Sequence, residues 1–233
     1  MLLDTLKLRS TVFQVQYPAA FEMWDNAGET SRHLAGIWPG LKVNTAEPFR
    51  ITLQSEDVQL RQEITTAIIT LRGTSAFEAN GIRQMRETVE CWKSMLQPKE
   101  FTRVSMIVEY GKNYGSLGDA NAAVKALQLV KLPDEKVFDQ PMDSKKNGVE
   151  VIYRFEDDNT FSVLRVRAEG LYLERHNDPD FFDEPMDKVE RNRMLVSFDR
   201  GTLKPVDPKS FRMDEWVKGY LHVLRRDAAK ILG

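Results

Sequence analysis

The period of the apolar residues changes along the chain, and the order of those changes constrains the fold more than any other feature. Ile82, Met85, Val89, Trp92 and Leu96 recur at spacings of three and four, which makes one apolar stripe on a helix. On either side the period is two. Val104, Met106, Val108 and Tyr110 alternate within FTRVSMIVEY, and ITTAIITLRG before the helix is rich in β-branched residues. Both read as strands. Segregated helices and alternating strands of this kind predict the α+β class.

The same reading extends to both ends. The stripe starts at SAFE, where Ser75 and Glu78 have capping-box spacing. The last helix places Trp216, Val217, Tyr220, Leu221, Leu224, Ala228 and Ile231 on one face, with Asp207-Pro208 as its expected start. Two weaker helices follow from Phe21, Trp24, Leu34 and Trp38, interrupted by Gly28, and from the alanine-rich DANAAVKALQLV, stopped by Pro133. The opening strand LKLRSTVFQVQY slips phase near Ser10, the mark of a bulge. Val149, Val151, Tyr153 and Phe155 alternate on a later strand, and RMLVSFD is a further one. Hairpin turns are expected at Ser55-Glu56-Asp57 and Asp157-Asp158-Asn159.

In order, the first half reads strand, helix, strand, strand, helix. The second half repeats this with one extra strand near Met194. The sequence therefore predicts two βαββα (ferredoxin-like) halves, 1–97 and 98–233, with antiparallel sheets and helices packed on one face. The join at Gln97-Pro98-Lys99 is too short for independent motion, so the halves should share an interface. An acidic insertion falls at about 175–191. This element order resembles that of tandem ferredoxin-like proteins, which include RNA-processing endonucleases of CRISPR systems. Those endonucleases carry a glycine-rich loop near the C-terminus. Here that region, DEWVKGYLHVLRRDAAKILG, is an amphipathic helix, so no residue role carries over.

Composition limits the partners. With 33 basic and 35 acidic residues the net charge is −2, so no global field draws the chain to nucleic acid and such binding would need a local patch. A single cysteine, Cys91, suits a reducing compartment. MLLDTLKLRS lacks the apolar run of a signal peptide, and no run of 18 apolar residues exists. A cytoplasmic, membrane-free protein is expected.

The one stretch that superficially resembles a ligand motif is EYGKNYGSLGDANAA. Gly111, Lys112, Gly115, Ser116 and Gly118 lead from a strand toward a helix N-terminus, where backbone N–H groups favour anions. The spacing is neither the Walker nor the dinucleotide pattern, and Asp119 brings the wrong charge. A turn whose glycines permit positive φ, with Asp119 as N-cap, is the better reading. The acidic insertion carries His176, Asp178, Asp180, Asp183, Glu184 and Asp187, of which Asp178, Asp180 and Asp183 are the candidate metal ligands. They lack EF-hand spacing and the central glycine, so no metal and no cofactor is expected. His33, His176 and His222 lie far apart, and Cys91 has no histidine near it in sequence. Arg165, Arg167, Arg191 and Arg193 could form a positive stripe, partly neutralised by Glu169 and Glu190.

No catalytic constellation is visible. The sequence points to a binding or assembly protein whose partner is another protein or a second copy, as a homodimer burying about 1,200–2,000 Å². The alternatives are an RNA-binding or RNA-processing protein that uses one sheet face, and an enzyme whose site assembles only in three dimensions.

Overall fold

The computed structural model describes residues 5–47, 49–73, 79–129, 149–175 and 187–232. Their strands are β1 (Lys7–Gln16), β2 (Lys42–Glu47), β3 (Arg50–Gln54), β4 (Val58–Glu63), β5 (Thr66–Arg72), β6 (Arg103–Tyr114), β7 (Glu150–Glu156), β8 (Thr160–Arg175) and β9 (Asp187–Thr202). Their helices are α1 (Glu22–Ile37), α2 (Ala79–Leu96), α3 (Leu117–Ala126) and α4 (Met213–Leu232). The chain is α+β. All nine strands form one sheet in the order β2-β3-β4-β5-β1-β6-β9-β8-β7. Every ladder is antiparallel.

Alternation sorts the strand residues onto two faces. One row across the sheet runs Leu71, Thr11, Val108, Phe198, Leu164, Tyr153. This face is the covered one. Phe13, Val15, Ile69, Val104 and Met106 pack there with Met85, Val89 and Trp92 of α2 and Val217, Tyr220 and Leu224 of α4. A second cluster joins Val124 of α3 and Ala228 and Leu232 of α4 to Val151, Leu164, Val166 and Val196. The opposite row runs Thr70, Val12, Ile107, Asp199, Val163, Arg154, and no helix of the two clusters packs on it.

Several expectations meet the structure directly. The apolar stripe of α2 is buried at Met85, Val89, Trp92 and Leu96, with Ile82 packed beside it. The phase slip near Ser10 is a bulge at Arg9, between the Leu8–Tyr110 and Ser10–Glu109 pairs. Both hairpin turns fall where expected. Asp157 holds its turn by accepting from the N–H groups of Asn159 (2.7 Å) and Thr160 (2.6 Å). The Ser75–Glu78 capping box lies outside the described residues.

The βαββα, ferredoxin-like detail differs from this order. Four strands, not two, separate α1 from α2, while the antiparallel pairing itself is as expected. The missed turn lies at Ile64-Thr65. It carries no glycine, proline, asparagine or aspartate, because distant backbone bonds hold it. The Tyr17 and Ala20 N–H groups donate to the carbonyls of Thr65 (3.0 Å) and Ile64 (2.9 Å), and Tyr17 Oη donates to the carbonyl of Glu63 (2.7 Å). The missed strand β2, KVNTAE, is a polar edge strand with a bulge between Val43 and Thr45.

Three further corrections concern boundaries and faces. Asp207-Pro208 does not start the last helix. Asp207 closes a separate turn that accepts from Lys209 N–H and Phe211 N–H, Phe211 plugs the core, and α4 begins at Met213. The buried line of α1 is Met23, Ala27, Thr30 and Leu34, running into Trp38, while Phe21 and Trp24 face outward. The acidic insertion is shorter than 175–191, because residues 187–191 belong to β9 and pair with 171–175 of β8.

Candidate functional site

The glycine stretch is not one loop. Gly111 and Lys112 are still in β6, and only Gly115 and Ser116 connect it to α3. Gly111 is required by packing. A Cβ there would stand 2.7 Å from Leu195 Cδ2 and 3.2 Å from the Met194 carbonyl on β9. Neither Gly111 nor Gly115 has a positive φ; that conformation is found at Gly40 and Gly73. The N-cap is Ser116, not Asp119. Ser116 Oγ accepts from the Asp119 N–H at 3.1 Å and donates to Asp119 Oδ2 at 2.8 Å. The helix terminus therefore carries its own carboxylate, placed where a bound anion would sit. Lys112 is exposed, its Nζ 5.6 Å from the Tyr114 ring centre. The candidate ligands Asp178, Asp180 and Asp183 lie outside the described residues.

The arginines expected as a positive stripe are largely matched by carboxylates. Arg167 and Arg193 both donate to Glu169, at 3.0 and 2.6 Å, and Arg167 reaches Glu109 at 3.4 Å. Arg165 lies 3.4 Å from Glu150. Burial alone would push the Glu169 carboxyl up, but hydrogen bonds from Arg193 and Arg167 and their charges hold it below the usual range. Asp199 lies among Arg103, Arg154 and Arg165. Burial pushes its carboxyl up against their pull, and its Oδ1 is buried without a hydrogen-bond partner. Cys91 is buried, and its thiol is pushed up to about 11, first by burial and then by Glu29, which makes it a poor nucleophile.

The helix-covered face is not sealed everywhere. Between α4 and the outer strands lies a groove of about 500 Å³. Phe155, Leu164, Phe198, Val223 and Ile231 supply an apolar lining. Several of its polar groups are engaged. Arg200 Nη1 donates to Ser162 Oγ at 2.7 Å, Tyr220 Oη donates to the Phe198 carbonyl at 2.7 Å, and Asp227 is held by Arg226 (2.6 Å) and Lys230 (3.1 Å). Burial raises the Tyr220 phenol well above its usual range. Beside the groove runs β7, an edge of the sheet, with Phe155 and Ile152 each about half exposed and the Phe155 ring stacked on Tyr153 at 6.5 Å. The sequence hid this site because its walls come from β7, β8, β9 and α4. Only the exposed end of the VEVIYRF alternation, at Phe155, signalled it.

No protein-family model matches the chain, and no curated protein matches it in sequence.

Proposed function

We propose that this chain is a binding or assembly protein that engages a polypeptide, in another protein or a second copy, at the outer end of its second half. The observation that carries the reading is the apolar groove between α4 and β7–β9, which opens beside an edge strand bearing exposed Ile152 and Phe155. Phe155 lines the groove and Ile152 projects from the other face of the same strand; an apolar groove rimmed by charge, as here by Arg226, Asp227 and Lys230, has the usual composition of an interface core and rim. A second exposed pair, Phe21 and Trp24 with ring centres 5.2 Å apart, adds to the surface available.

The two halves, 1–97 and 98–233, fit an internal duplication. In each, a central strand leads into a helix, antiparallel strands return to pair with it, and a second helix closes the unit; β1 and β6 meet at the centre. A buried thiol and the lack, among the described residues, of a helix long and apolar enough to cross a membrane fit action in the cytoplasm.

Native mass spectrometry of the protein purified from its own host tests the proposal. A bound polypeptide or a second copy is expected, and Val223→Asp, within the groove, should release it. Retention of a small organic molecule in place of a polypeptide would overturn the reading, as would a complex indifferent to Val223→Asp.

RNA binding on the open sheet face is the second reading. Arg103, lying over the buried Phe161 ring at 4.4 Å, and the nearby Arg154 and Arg165 form a local cluster of arginines around Asp199, the positive charge that tracks a single-strand backbone. Retention on single-stranded RNA at physiological salt, lost in Arg103→Ala, would place it first.

A further inference from the structure

We infer that β7 is a self-pairing edge, and that two copies of this chain join their sheets through antiparallel β7 strands related by a two-fold axis at Ile152. The inference rests on the reading above that this end of the molecule is a binding surface, and adds the occupant and the register.

The backbone fixes which groups are free. Asp157 N–H donates to the Thr160 carbonyl at 2.9 Å, and Ala168 N–H donates to the Val149 carbonyl at 3.2 Å. Bonded positions alternate along an antiparallel ladder, so the odd-numbered residues of β7 face β8. Glu150, Ile152, Arg154 and Glu156 then direct their N–H and C=O groups away from the sheet, where no described strand pairs with them. Such an edge invites another strand unless charge, proline or a bulge blunts it. The opposite edge, β2, has a bulge. The β7–β8 ladder has none, and β7 contains no proline; its charges, Glu150, Arg154 and Glu156, are of both signs, so a second copy can match them.

The side chains then favour the register that matches opposite charges. With Ile152 opposite the partner's Ile152, Glu150 lies opposite the partner's Arg154 at both ends, and the outward backbone groups of all three positions meet. On the helix-covered face the same register sets Val151 opposite the partner's Tyr153 and Val149 opposite the partner's Phe155, covering half-exposed apolar surface. The next register opposes Glu150 to the partner's Glu156. The one after it opposes the two Arg154 side chains. Opposite charges directly across a ladder stabilise and like charges destabilise it. A symmetric closed pair follows, not a fibre, because the same patch meets itself.

A charge-swap series read by sedimentation equilibrium tests this. The wild type should sediment as a dimer at micromolar concentration. Glu150→Arg and Arg154→Glu should each raise the dissociation constant at least about tenfold, and the double swap should restore it, since opposite charges then meet again. Ile152→Cys should form an intermolecular disulfide on mild oxidation, because paired Cα atoms across such a ladder stand about 5.5 Å apart and Cys91 is buried. A monomeric wild type that captures a different polypeptide would overturn this inference and leave the binding reading standing. A dimer unaffected by either single swap, or lost without rescue in the double swap, would overturn the inference as well. A wild type that associates with nothing would overturn both.

Discussion

At the scale of single residues the energetics concentrate where the sheet and helices are closest. Trp92 is 1% exposed at the centre of the shared core, and its Nε1 has no hydrogen-bond partner. Its contribution is therefore packing. Trp92→Ala should cost about 3–5 kcal/mol, read as a lower urea midpoint, and an unchanged midpoint would contradict the packing described. Gly201 is a subtler case. A Cβ there would stand 2.5 and 2.8 Å from two carbons of the Phe161 ring and 2.8 Å from Ser105 Cβ. Phe161 is itself 3% exposed and lies beneath Arg103, so the ring has little room to retreat. Gly201→Ala should destabilise by about 1–3 kcal/mol through overpacking, in the same measurement. Glu169 gives a pH signature. Its carboxyl is held below the usual range in the folded protein, so its contribution is fully present above the unfolded carboxylate range and is lost as the pH falls below that range through the lower folded value. Being partly exposed, it is worth under about 1 kcal/mol. Glu169→Gln should lower the urea midpoint slightly at pH 7, and the difference should shrink as the pH falls through the titration of the folded carboxyl.

At the scale of elements, the sequence showed most clearly what local periodicity determines. The stripes of α2 and α4, the alternation of β6 and the Asp157 turn all follow from nearby residues. What stayed hidden depends on distant ones. The Ile64-Thr65 turn has no turn residues because Tyr17 and Ala20 supply its backbone bonds. The face of α1 was misjudged because Phe21 and Trp24 are large and eye-catching, while the buried line uses Ala27 and Thr30. Gly111 looked like a loop glycine, and the reason for it lies across the ladder in Leu195. The groove was illegible for the same reason, since Phe155 and Ile231 belong to one wall only after the sheet forms. The start of α3 offers a test of local chemistry. Ser116 is its only described side-chain cap, so Ser116→Ala should cost about 1 kcal/mol. Amide exchange should quicken over α3 with β1 and β6 unaffected, and uniform quickening would show instead that the cap supports the whole fold.

At the scale of the whole molecule, the central question is whether two halves of similar order behave as two bodies or one. The β1–β6 ladder at the join runs from Lys7–Gly111 to Gln16–Arg103. One cluster contains Phe13, Trp92 and Leu96 from the first half together with Phe101, Val104, Met106, Val217 and Tyr220 from the second. The ring of Phe13 stands 6.4 Å from that of Phe211 and 5.8 Å from that of Trp216, both in the second half. Removing either half would expose this apolar surface and strip a central strand of its neighbour, leaving a new unpaired edge in the middle of the sheet. Domains of this kind are stable by only about 5–15 kcal/mol, a margin comparable to the cost of truncating a few core side chains at about 2–5 kcal/mol each. The halves should therefore unfold together. Urea denaturation followed by far-ultraviolet circular dichroism and by tryptophan fluorescence should give coincident single transitions, and a fragment of residues 1–97 should not fold by itself. Two resolved transitions, or a fragment with cooperative unfolding of its own, would show that the two halves fold independently.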